Sequence, residues 1–202
     1  MPASRLFPTF LLAVALFAAV SALAQEAETI SLKGRMLIAT EKLRDPNFRE
    51  TVLYMVEHTP EGAFGLVINR PLGEMAHRDV LERLGITGEA GEGKLRIFTG
   101  GPVSPNEGYL LHSTDKLYSS TKTIGEDYAV SAPEEALGSI GKGEGPAEAL
   151  LILGYAGWSP GQLETELKAG AWEHVEADRE IIFDREIASK WQRAIGLVTI
   201  DL

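Results

Sequence analysis

The run Ala149-Leu150-Leu151-Ile152-Leu153-Gly154-Tyr155-Ala156-Gly157-Trp158, followed by Ser159-Pro160-Gly161-Gln162, decides how this chain is read. Ala149 to Leu153 is apolar without polar alternation, and a run of that length belongs to a strand covered on both faces. Such a strand needs packed layers on each side, which places it at the centre of a mixed domain. Tyr155 to Trp158 then reads as a loop and Ser159-Pro160-Gly161-Gln162 as a helix start. Ser159 is its expected N-cap, Pro160 its first helical residue, and Gln162 reaches back as in a capping box. Leu163 and Leu167 mark the buried stripe that follows.

Toward the N-terminus the same logic yields short strands. Leu32 to Thr40, Thr51 to His58 and Phe64 to Asn69 read as strands; Thr59-Pro60-Glu61-Gly62 supplies the turn between the last two, and Pro71 stops the second. Leu95 to Thr99, Gly108 to His112 and Tyr128 to Ser131 are further strands, with Gly100-Gly101-Pro102 as a turn. Helices are expected over Ala76 to Leu84, closed by Gly85, and over Pro133 to Ile140. Beyond the central strand, Glu180 to Phe183 reads as a strand leading to Asp184, the N-cap of a last helix with Ile187, Trp191, Ala194 and Ile195 on one face. Alternating short strands and helices make an α/β (α+β) single domain. The glycine-rich connectors at 88–94 and 141–146 are loops within it, because the elements on either side are too short for separate cores.

Composition narrows the function. The chain of 202 residues has 19 basic and 29 acidic side chains, a net charge of -10, and no cysteine. Disulfides and thiolate chemistry are excluded. An acidic chain without a basic run repels phosphate backbones, so no nucleic-acid partner is expected. The first 24 residues have the form of an export signal: Arg5, an apolar stretch from Leu6 to Val20, and Ala22-Leu23-Ala24 as a cleavage site. Its unbroken apolar part, Phe10 to Val20, is shorter than the roughly 20 residues a membrane span needs. The expected product is a periplasmic or secreted domain over 25–202 with no stable membrane anchor after cleavage.

Gly157-Trp158-Ser159-Pro160-Gly161 matches the G-x-S-x-G nucleophile elbow, but that elbow uses the N–H of the residue after serine, and Pro160 has none. The order serine, acid, histidine fails as well, because Asp178 and Asp184 follow His174. His58, His77, His112 and His174 show no local metal spacing, and no P-loop or G-x-G-x-x-G is present, so no metal or cofactor is expected. His58, Asn69, Arg70 and His112 stand at the ends of apolar segments, where sites are built on rigid sheets. Each also fits the plainer role of a strand end that bonds a turn.

These blocks, Glu57-His58, Gly62 to Pro71, Gly100-Gly101-Pro102-Val103 and Leu153 to Trp158 with Gly161 to Glu164, resemble the YqgE/AlgH family of bacterial proteins over about Gly34 to Asp201. The resemblance implies one domain with a strongly bent, partly barrel-like mixed sheet and flanking helices. It implies no established reaction; the regulator label of some relatives has no DNA-binding motif behind it here. The leading expectation is a non-enzymatic binding module of the bacterial envelope. In it His58, Asn69, Arg70, His112, Tyr155, Trp158 and Gln162 converge on one concave site for a small anionic or polar ligand or a protein segment. The alternative is an acid–base hydrolase using His58 or His112 with Glu57. A third possibility gives the motif glycines Gly100, Gly101 and Gly157 a purely structural task.

Overall fold

The computed structural model describes residues 31–87 and 91–198. The export signal expected over the first 24 residues lies outside them. Among the described residues ten strands form the sheet: β1 (Arg35–Ala39), β2 (Val52–Thr59), β3 (Gly62–Val67), β4 (Pro71–Ala76), β5 (Lys94–Thr99), β6 (Val103–Ser113), β7 (Lys122–Ile124), β8 (Tyr128–Ser131), β9 (Ala149–Trp158) and β10 (Trp172–Glu176). The helices are α1 (His77–Leu84), α2 (Pro133–Gly141), α3 (Gln162–Lys168), α4 (Arg179–Phe183) and α5 (Lys190–Val198). The main path of the sheet runs β10-β1-β2-β3-β9-β6-β8-β7, and β5 joins β4 to β9 as a side branch. Every pairing is antiparallel except β5 with β9.

β9 is the hub, and its apolar run explains why. Leu150 and Ile152 face an inner core with Tyr54, Phe98, Leu111 and Tyr128, while Leu151 and Leu153 face an outer core under α1 and α2. Both faces are covered, as an unrelieved apolar strand requires. The sheet curls around the inner core, and α4 and α5 pack into it through Ile181, Ile182, Phe183 and Ala194. The curl is measured by Tyr54 of β2, whose hydroxyl donates to the Ile124 carbonyl of β7 at 3.4 Å although the two strands are far apart in the sheet order. A third cluster covers the outside of β1, β2 and β3, where Leu163 of α3 packs with Leu37, Leu53, Met55 and Trp172. The bent, partly closed sheet with flanking helices is therefore present.

The turn at Gly100-Gly101 acts as a wedge. Gly100 donates to the Leu153 carbonyl of β9 at 2.7 Å and accepts from the Val67 N–H of β3 at 3.0 Å. A Cβ on Gly100 would sit 2.1 Å from the Gly154 carbonyl oxygen, and one on Gly101 2.2 Å from that of Tyr155. Only glycine permits this approach. Here β9 bends at Gly154, whose φ is 73°, and exchanges β5 for β3 as its neighbour. Gly157 is less confined, with its hypothetical Cβ 3.1 Å from the Tyr155 ring.

Several local expectations are corrected. Tyr155 to Trp158 is not a loop but the second half of β9, because Ala156, Gly157 and Trp158 pair with Gly65, Phe64 and Ala63. Ser159 is not a helix cap: Gln162 N–H donates to its carbonyl at 3.0 Å across a turn, and Gly161 with φ 73° occupies the cap position. The backward reach of Gln162 is real, since its Oε1 accepts from Ser159 N–H at 3.1 Å. Residues 180–183 belong to helix α4 rather than a strand, with Asp178 as cap accepting from Ile181 N–H at 2.9 Å. Short apolar runs carry no decisive period, and a cap settles the matter. Asp184 instead accepts from Glu186 N–H in a turn, and α5 begins later, at Lys190. Pro71 opens β4, which pairs only with β5, so its missing N–H costs no ladder bond on the free edge.

Candidate functional site

Three aromatic rings from three neighbouring strands meet where the inner core reaches the surface. Phe64 of β3 lies 4.8 Å from Tyr155 of β9 and 5.4 Å from Tyr109 of β6, and the two tyrosines are 6.1 Å apart, ring centre to ring centre. Phe64 stands opposite Gly157 in the β3–β9 register, so no side chain fills the space across from it. The rings floor an open groove of about 640 Å³. Glu57 of β2, Glu61 of the β2–β3 turn and Glu107 of β6 line the same groove, along with Thr59, Val103, Trp158 and Ser159. Burial and the neighbouring Glu107 carboxylate hold the Tyr109 phenol well above its ordinary value. The Lys122 ammonium, paired with Glu57, holds that carboxyl below the ordinary carboxylate range.

Of the seven expected site residues, Tyr155 and Trp158 line this groove. The other five are engaged elsewhere. His58 is buried, its Nδ1 accepts from Leu32 N–H at 3.0 Å, and its Nε2 donates to Glu164 at 3.1 Å. The expected partner Glu57 points instead to Lys122. His112 is fully buried; its Nδ1 donates to the Ser113 carbonyl at 2.8 Å and its Nε2 accepts from Ser131 at 2.8 Å. Ser131 in turn bonds Thr121 at 2.7 Å. Burial lowers the His112 pKa against the opposing pull of its Ser113 bond.

Asn69 accepts from Val52 N–H at 3.0 Å and donates to the Glu50 carbonyl at 2.8 Å. Arg70 donates to the Arg49 carbonyl and to the Thr51 hydroxyl, both at 2.9 Å, and lines a separate depression of about 170 Å³. Both side chains fasten the chain after β3 to the start of β2. Gln162 donates to Glu166 at 3.0 Å, and the other oxygen of Glu166 accepts the indole N–H of Trp158 at 2.9 Å and of Trp172 at 2.7 Å. This knot holds one edge of the groove. The seven residues therefore do not converge on one concave surface.

What a sequence reading missed is the floor itself. Phe64 and Tyr155 sit in the motif blocks, but Tyr109 reads only as part of the strand Gly108 to His112 and Glu107 falls just outside it, and nothing in spacing announces that rings on three strands meet across a curl. Among the described residues no three His, Asp or Glu side chains gather as metal ligands.

A sequence profile of a family described as AlgH-like matches residues 36–202. The chain belongs to the AlgH-like family. The solution structure of the AlgH protein from Pseudomonas aeruginosa is 40% identical, with a TM-score of 0.69 over 88% of this chain and 96% of that one. A UPF0301 protein from Paracoccus denitrificans is 40% identical across 86% of this chain and 93% of its own length. The UPF0301 protein YqgE of Escherichia fergusonii is 37% identical over 86% and 95%. A protein from Corynebacterium diphtheriae at 18% identity shares the fold, with a TM-score of 0.61. The relatives thus confirm family and architecture for this AlgH-like chain.

Proposed function

We propose that this AlgH-like protein is a non-enzymatic binding module of the bacterial envelope, whose groove receives a polar ligand or a segment of a partner protein. The observation that carries this reading is the trio Phe64, Tyr109 and Tyr155, held on three adjacent strands at the floor of an open concavity. Aromatic side chains supply contact area at small entropic cost, and a groove of this volume falls in the range of ligand sites. The export pattern over the first 24 residues supports the envelope as its compartment. A transcriptional role is disfavoured by that pattern and by the net charge of -10.

A hydrolase is disfavoured because a general base needs a free nitrogen. Both nitrogens of His58 and both of His112 are committed to internal bonds. The test is calorimetric titration with short peptides of varied charge, beside an assay with chromogenic esters. Saturable binding that Tyr155→Ala abolishes supports the module. Ester turnover lost in His58→Gln, with no peptide bound, would replace it with the hydrolase.

A further inference from the structure

The groove's chemistry specifies the charge of its occupant, and this step rests on the binding reading above. We propose that it takes an arginine-bearing segment of a partner protein, with the guanidinium stacked on the aromatic floor and paired to the acidic rim. Three carboxylates, Glu57, Glu61 and Glu107, border the concavity. Among the described residues Lys122 is the cation paired with Glu57, while no ion pair involves Glu61 or Glu107. An acidic rim alone is a solvated surface; here it borders three aromatic rings, and that combination is what a cation with a planar π system fits. Guanidinium stacks on tyrosine and phenylalanine faces and takes carboxylates two bonds at a time, which ammonium does not. The chain already makes this contact internally, with the Arg96 guanidinium 5.8 Å from the Phe98 ring centre.

A negative rim repels an anionic ligand, so the anionic half of the expectation drawn from the sequence gives way to a cationic one. The occupant is a chain segment rather than a free small cation, because the concavity is open to solvent rather than enclosed. A small-ligand site encloses most of its guest, whereas an open concavity leaves room for a chain to enter and leave. Lys122 also has a place in this scheme. An arriving guanidinium competes with it for Glu57, so exchange of one cation for another accompanies binding.

The test titrates the protein with an acetylated, amidated peptide carrying two arginines, with its citrulline counterpart, with a glutamate counterpart and with spermidine. The expected result is saturable binding of the arginine peptide, weakened at least about tenfold by citrulline and by raising salt from about 0.05 to 0.5 M. The double variant Glu61→Gln/Glu107→Gln lowers affinity at least about tenfold, while Glu82→Gln on α1 leaves it unchanged. Because citrulline alters the peptide and not the protein, misfolding of a variant cannot imitate its effect. Equal binding of the arginine and citrulline peptides, or preference for glutamate, overturns the cationic assignment while leaving a binding module. Spermidine binding as tightly as the arginine peptide overturns the segment, and no binding of any probe overturns both readings.

Discussion

His58 Nε2 lies 3.1 Å from Glu164 Oε1, joining the end of β2 to helix α3. The opposite nitrogen accepts from the Leu32 backbone, so it carries no proton and the tautomer is fixed with hydrogen on Nε2. This geometry resembles the acid–histidine half of a catalytic pair, yet the nitrogen that would face a nucleophile is already filled. The pair is a clasp. His58→Ala should cost about 2–4 kcal/mol in urea unfolding, from lost packing and an unpaired Leu32 N–H. Glu164→Gln keeps an acceptor and should cost about 1 kcal/mol or less.

His112 makes stability sensitive to mild acid. Its folded pKa lies below the ordinary 6.5 because burial disfavours the charged ring. As pH falls, the unfolded chain takes up the proton first, so the native state loses stability from about pH 6.5 downward toward the lowered folded value. His112→Gln reduces this slope below about pH 6.5, leaving the part contributed by His174, whose ring burial also pulls down, although its lost buried bonds make it about 2–3 kcal/mol less stable at neutral pH. Urea midpoints measured across that window for both proteins test the sign.

Lys190 acts at the alkaline end. Its side chain is fully buried, donating to the Ile182 carbonyl at 2.9 Å and the Ile68 carbonyl at 3.3 Å. Burial pulls the ammonium down to about 8; Asp184 opposes that shift, and Arg96 and Arg193 assist it. The unfolded chain keeps the proton up to about 10.5, so native stability rises as pH passes from about 8 to 10.5. Lys190→Met should lack this rise. Near pH 7 its stability should stay within about 1 kcal/mol of wild type, since relief of charge burial offsets two unpaired carbonyls. Denaturant midpoints from pH 7 to 10.5 decide.

Gly100→Ala tests the wedge between β3 and β9. The added methyl would stand 2.1 Å from the Gly154 carbonyl oxygen and 2.5 Å from Ile152, and backbone must move to admit it. The cost should be at least about 3 kcal/mol, visible as insoluble protein or a collapsed urea midpoint. Ser159→Ala, by contrast, should fall within about 0.5 kcal/mol, because the exposed Ser159 anchors its turn through backbone groups.

Much of the architecture was legible where the local signal was strong. The apolar run at Ala149 announced the central strand, and Gly85 and Pro133 marked helix ends that lie within a residue of those expected. The errors fell where tertiary partners decide. Glu180 to Phe183 is helical because Asp178 caps it, and Tyr155 to Trp158 is extended because β3 lies beside it. The site was less legible. Histidines and amides at strand ends look functional in a sequence, but strand ends also need bonds for their turns, and His58, Asn69, Arg70 and His112 supply them here. The groove depends on a curl that brings Phe64, Tyr109 and Tyr155 together, a long-range property that no local pattern encodes.

The central claim is that the aromatic floor is where a partner docks. Backbone amide shifts of the nitrogen-15-labelled protein, followed during titration with the two-arginine peptide, test it most directly. The account predicts saturating shifts clustered at residues 57–64, 107–109 and 155–159. Shifts centred on His58's contacts at Leu32 and Glu164 without movement of Tyr109 or Tyr155, or none at all, would contradict it.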